Sequence, residues 1–108
     1  MNMGYRTMRV IVMFDLPMQT SKERRDYRRF RNFLIDHGFL MLQQSVYAKL
    51  AITPSVARSI RNEVMKASPR GGLVQMINVT EKQYNQMDYV VGDATHKTLD
   101  TSESLVIF

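Results

Sequence analysis

Residues 8–15 read MRVIVMFD, apolar at nearly every position and not merely at alternate ones. A strand with that pattern needs cover on both faces. Successive side chains point to opposite sides, so Met8, Val10, Val12 and Phe14 face one way, and Arg9, Ile11, Met13 and Asp15 face the other. A chain built round such a strand places helices on one side of a sheet and some other cover on the second. Pro17 ends the strand and opens a loop.

The following segments supply the helices and the partner strands. Thr20 or Ser21 caps a helix whose first turn begins at Glu23 or Arg24. It runs to about His37, and Gly38 is its stop. Phe39 to Leu50 (FLMLQQSVYAKL) reads as a second strand. Its polar centre, Gln43-Gln44-Ser45, predicts a bend or bulge where a strand this long changes direction. Thr53 and Pro54 start a second helix that continues to about Lys66, with Val56, Ile60, Val64 and Ala57 as its apolar stripe. Ser68-Pro69-Arg70-Gly71-Gly72 is a turn. Leu73 to Thr80 is a further strand, Glu81 to Met87 a short helical turn, and Tyr89 to Gly92 a short strand. After a polar loop, Leu105, Val106, Ile107 and Phe108 form a terminal strand.

The order is β-α-β-β-α-β, which predicts an α+β, ferredoxin-like domain spanning residues 1–108 with an additional C-terminal strand. A chain of 108 residues is one domain in size. Two helices cover one sheet face. A second copy packed sheet to sheet about a two-fold axis is the simplest cover for the other, and loops with the C-terminal strand are the alternative. The terminal strand is expected to pair with a sheet edge, of its own sheet, of the sister subunit or of a partner protein.

Fifteen Lys and Arg against ten Asp and Glu leave a net charge of +5, which suits polyanionic partners and equally an ordinary basic protein, so where the charge sits matters more. The charge is concentrated in KERRDYRRFR, where Lys22, Arg24, Arg25, Arg28, Arg29 and Arg31 surround an apolar stripe of Tyr27, Phe30, Phe33 and Leu34. Arg25, Arg28 and Arg29 share one face, and Arg24, Arg28 and Arg31 an adjacent one. Guanidinium groups bind phosphate oxygens bidentately, so this helix suits a nucleic-acid backbone. No RNA-recognition signature of paired strand aromatics is present, which favours reading duplex shape over reading bases. The absence of cysteine excludes disulfides and cysteine-ligated zinc or iron–sulfur sites. No apolar run is long enough to span a membrane and no signal core opens the chain, so a cytoplasmic protein is expected.

Asp15 closes a hydrophobic strand. One carboxylate at a strand end commonly caps a turn. Beside a two-fold axis it becomes a pair, and such a pair suits a magnesium ion that keeps most of its water. His37 and His96 have no spacing that links them as ligands. Gly71-Gly72 lacks the lysine and spacing of a phosphate loop. Nine methionines read as core filling.

The aromatic-Asp strand end (Phe14-Asp15), the basic helix, Gly38 and the stretch Gln43-Gln44-Ser45-Val46-Tyr47 together resemble the CRISPR-associated protein two family. Leu73 to Thr80 and Thr80-Glu81-Lys82-Gln83 look like its type II-A branch. The resemblance implies a homodimer that bridges dimers of the CRISPR integrase subunit and supports double-stranded prespacer DNA during spacer acquisition. It also implies a magnesium-dependent endonuclease of RNA or DNA, with Asp15 as metal ligand and Phe14, Ser45 and Tyr47 supporting the site. Two departures bear against nuclease chemistry: Met41 stands where some relatives carry arginine, and Leu16-Pro17 follow the aspartate where other branches have a polar residue. A regulatory module for a small ligand is a third class, and it lacks a Gly-rich ligand loop.

Overall fold

The apolar run becomes β1 (Met8–Asp15), an interior strand with neighbours on both sides in the computed structural model, which describes residues 7–93. Strands β2 (Leu40–Gln43), β3 (Val46–Ala51) and β4 (Leu73–Thr80) complete an antiparallel sheet in the order β2-β3-β1-β4. Helices α1 (Ser21–Asp36) and α2 (Pro54–Ala67) connect β1 to β2 and β3 to β4. That is the ferredoxin-like order expected, reached because the stretch Phe39–Leu50, read as one strand, supplies two.

The alternation of β1 sorts as its pattern predicts. Val10 and Val12 are fully buried and Phe14 nearly so, on the face that carries the helices. Phe30 and Leu34 of α1 and Ala57, Ile60 and Val64 of α2 close the core over them. Tyr27 and Phe33 are half-buried at its margin. Each large apolar side chain buried here contributes roughly 1.5–3 kcal/mol of transfer free energy. Val56 departs from the expected stripe: it is exposed, and Ala57 lies against the sheet in its place. A small side chain there lets the helix approach β1.

Both long helices begin where the sequence directs. Thr20 is the N-cap of α1 in a capping box: its hydroxyl accepts the Glu23 N–H at 3.0 Å, and Glu23 accepts the Thr20 N–H at 2.9 Å. Thr53 caps α2, with Pro54 in its first turn. At the end of α1 the Phe39 N–H donates to the Leu34 carbonyl and the Gly38 N–H to the Ile35 carbonyl, with Gly38 at φ 86°. These are the two bonds of a Schellman stop, and Leu34 and Phe39 supply its apolar contact. His37 is the C-cap residue, its ring against Phe33.

Two expectations need correction. The stretch Phe39–Leu50 is not one bent strand but a hairpin: Gln44 and Ser45 form the turn, Gln43 pairs with Val46, and the register slips between Met41 and Gln43. Tyr89–Gly92 is not a strand. Its valines, Val90 and Val91, are 93% and 91% exposed, and among the described residues no strand edge pairs with them. β-propensity needs a partner edge, and this segment instead runs beside Ile11, Leu42 and Val46 along the sheet face away from the helices. The short helix before it matches the expectation: α3 (Glu81–Asn85) is capped by Thr80, with Gln83 completing a second capping box. The terminal strand at Leu105–Phe108 lies outside the described residues.

Candidate nucleic-acid interface and the Asp15 strand end

Not every cation of α1 is available to a ligand. Lys22 is bonded to Asp26 at 2.9 Å, one turn away. This bond, with Arg25 and Arg29 nearby, holds the Asp26 carboxyl below the usual carboxylate range. Arg24 folds back over the β1–α1 loop, donating to the carbonyls of Gln19 and Met18 at 2.9 and 3.2 Å and to the Ser21 hydroxyl at 3.3 Å. Arg31 lies near Tyr47. Burial pushes the Tyr47 hydroxyl up from its ordinary range, and the nearby Arg31 guanidinium opposes part of that rise. Arg25, Arg28 and Arg29 are exposed and form no ion pair among the described residues. The helix therefore divides its basic side chains between bracing its own surroundings and facing solvent.

Asp15 is exposed at the last position of β1, paired with Leu73 of β4. The residue before it is tightly placed. The Phe14 ring packs edge-on against Phe30 at 5.1 Å, stacks on Tyr47 at 5.8 Å and tilts against Tyr27 at 5.8 Å. Such aromatic pairs add to simple burial and resist rotation. The Phe14 N–H donates to the Ser45 carbonyl at 3.0 Å. Ser45 has φ 67°, the only positive φ at a non-glycine residue among those described. Phe14, Ser45 and Tyr47 thus meet at the end of the strand that carries Asp15.

The donor set at Asp15 is sparse. No group of three or more His, Asp or Glu side chains suited to a metal occurs among the described residues. One carboxylate per chain fits a hydrated magnesium ion and not an ion that demands an all-protein cage. Bound there, magnesium would supply polarisation of a phosphodiester and activation of water.

Sequence reasoning misses three features. It groups Arg24 with the phosphate-facing side chains, and only the return of that side chain to the loop carbonyls reveals a bracing role. It reads Gly72 as a turn device alone. Gly72 has φ 82° and lies against Asp15 itself. It assigns Arg9 to the second sheet face without a partner. Arg9 donates to both Glu81 oxygens, at 2.7 and 3.0 Å, and its guanidinium sits 4.5 Å over the Tyr84 ring. The separation of 72 residues between Arg9 and Glu81 hides that pair from any local pattern.

On that sheet face Leu40, Leu50, Leu73 and Ile77 remain 43–55% exposed. The strand pairing puts all four on the side of Ile11. No helix of the described residues is long and apolar enough to cross a membrane.

Comparison with known proteins agrees with this geometry. Residues 8–87 match the family model described as CRISPR associated protein Cas2. A protein of Treponema denticola named CRISPR-associated endoribonuclease Cas2 is 45% identical over 100 residues, 93% of this chain and 99% of the relative. One of the same name from Lacticaseibacillus rhamnosus is 43% identical, with the same coverage of both chains. The crystal structure of Streptococcus pyogenes Cas2 superposes with a TM-score of 0.57 at 18% identity, covering 78% of this chain and 99% of that one, and supports the fold alone. With a family model spanning β1 to α3 and relatives matched over nearly their whole length, the chain belongs to the CRISPR-associated Cas2 family.

Proposed function

We propose that the protein is a homodimeric, cytoplasmic subunit of CRISPR spacer acquisition, of the type II-A branch, that binds double-stranded DNA through its phosphate backbone and bridges dimers of the integrase. The observation that carries the DNA reading is the exposed set Arg25, Arg28 and Arg29, which forms no ion pair among the described residues, whereas the neighbouring Lys22 does. The apolar sheet face with Leu40, Leu50, Leu73 and Ile77 supports the dimer, because a contiguous apolar face of this kind is rarely left to water. A second copy of α1 lengthens the basic track and lets it follow a duplex by charge and spacing. Among the described residues β4 is an edge strand, and the Leu105–Phe108 segment supplies apolar strand sequence for pairing with an edge, of the sister subunit or of the integrase.

The test is co-purification with the integrase, with and without duplex DNA, together with the mass of the protein alone in sedimentation. A dimer that joins the integrase and retains duplex DNA is expected. A monomer that binds neither overturns the proposal.

A second reading rests on the name endoribonuclease carried by the relatives and on the exposed, firmly backed carboxylate of Asp15. In it, Asp15 from each protomer holds magnesium, and the bound ion serves hydrolysis of RNA or DNA. Asp15→Asn separates the two readings. Loss of divalent-dependent cleavage with intact duplex binding assigns hydrolysis to Asp15. Unchanged cleavage removes Asp15 from the chemistry.

A further inference from the structure

The end of β1 is gripped from both sides by turns in the left-handed region. On one side Ser45, at φ 67°, accepts the Phe14 N–H through its carbonyl. On the other, Gly72 sits at φ 82° immediately before Leu73, the pairing partner of Asp15. A Cβ at Gly72 would lie 2.7 Å from the Asp15 carbonyl oxygen, 2.9 Å from Leu16 Cδ2 and 3.0 Å from Pro17 Cδ. None of these neighbours gives way easily. The first is backbone, Leu16 is buried, and the proline ring fixes its own φ. Gly71, next in the chain, has no atom within 4 Å of such a Cβ and no positive φ. The turn thus has one glycine under steric constraint and one without.

We propose that Gly72 is a positioning residue for the Asp15 site: its bare Cα lets the α2–β4 turn close on the Asp15–Pro17 backbone, and Ser45 fixes the same strand end from the hairpin side. The consequence for metal binding rests on the reading of Asp15 as a magnesium ligand. A carboxylate that is its own chain's sole contribution to a hydrated ion has no second ligand on the same chain to correct its aim. The backbone beneath it must therefore supply the precision.

The test compares Gly72→Ala with Gly71→Ala in the full chain, by circular dichroism, by amide NMR and by titration with Mn²⁺ as a paramagnetic probe. Gly72→Ala is expected to keep its secondary structure, to shift the Asp15 and Leu16 amide resonances, and to lower Mn²⁺ affinity on the order of ten-fold, the scale of changes behind a metal ligand. Gly71→Ala is expected to match the wild type in both. Unshifted Asp15 and Leu16 resonances in a folded Gly72→Ala overturn the proposal. So does an equal shift from Gly71→Ala. Should Gly72→Ala fail to fold, the wild-type amide of Asp15 decides: an order parameter of about 0.85, as in rigid backbone, supports a gripped strand end, and one below about 0.6 overturns it. Asp15→Asn keeps the two ideas apart. If it leaves Mn²⁺ binding unchanged, the metal half of the proposal is overturned, whereas the Asp15 amide still reports the grip of Gly72.

Discussion

The Phe14 N–H and the Ser45 carbonyl meet at 3.0 Å, which ties the residue preceding the candidate carboxylate to a left-handed serine. A non-glycine residue held in that region carries a conformational cost of about 1–3 kcal/mol, tolerated where the surroundings fix it. Here the hairpin and the bond to Phe14 fix it.

Substitution of Ser45 reads that cost. Ser45→Gly retains the carbonyl and the turn, so its stability stays within about 1 kcal/mol of wild type, relief of strain offsetting added chain entropy. Ser45→Val, β-branched at a positive φ, loses on the order of 1–3 kcal/mol. Urea denaturation measures both. Equal stability of the two variants would show that the turn holds another conformation.

Arg25→Ala, Arg28→Ala and Arg29→Ala combined leave the fold intact, because the side chains are exposed and form no ion pair among the described residues. Duplex affinity falls. The magnitude of the log–log salt slope drops by about 0.9 for each phosphate that the variant no longer neutralises. Fluorescence anisotropy over a salt series gives the slope, and an unchanged value would place the duplex on another face.

Arg24→Ala behaves oppositely. Its hydrogen bonds go to the loop that follows β1, so the variant loses stability, about 0.5–1.5 kcal/mol, and keeps its salt slope. Thermal melts and the same anisotropy series distinguish it from its neighbours. A reduced slope, as expected for the combined variant, would return Arg24 to the phosphate set.

Glu81 gives a pH signature. Its bond to Arg9 holds its carboxyl below the ordinary glutamate range. A carboxyl depressed in the folded state contributes stability that is complete above its unfolded value and is lost as pH falls through its folded one. The melting temperature of the wild type therefore declines in that acid window, and the part due to this pair vanishes in Glu81→Gln. Parallel melting profiles for the two proteins would sink this assignment.

Deletion of Ser104 to Phe108 locates the terminal segment. Pairing with the sister subunit predicts a weakened dimer, and docking on the integrase predicts an intact dimer that no longer joins the complex. Sedimentation and co-purification separate these outcomes. A less stable subunit in thermal melts would mean that the segment completes its own sheet instead.

What the sequence determined by itself were the elements and their faces. Two-sided apolarity set β1 in the middle of the sheet, Thr20 and Thr53 started the helices, Gly38 stopped one, and the spacing of Phe30 and Leu34 chose its buried side. These are short-range effects of backbone geometry and hydrophobic period, and they survive without knowledge of the partners. The cluster of arginines that follows the strand-end aspartate along the chain was legible for the same reason. Side-chain geometry alone decided which arginines are left without partners among the described residues: Arg24 returns to the loop just before its own helix, and Arg31 lies near Tyr47, which packing brings to it. Tertiary structure laid Tyr89–Gly92 along a sheet face and not beside an edge strand, where β-propensity has no ladder to join. It also brought Gly72 and Ser45 to either side of Asp15 and Arg9 to Glu81. Close approach of backbone segments far apart in sequence leaves no periodic trace; at Gly72 the sequence records only a missing side chain, and the surrounding atoms reveal why.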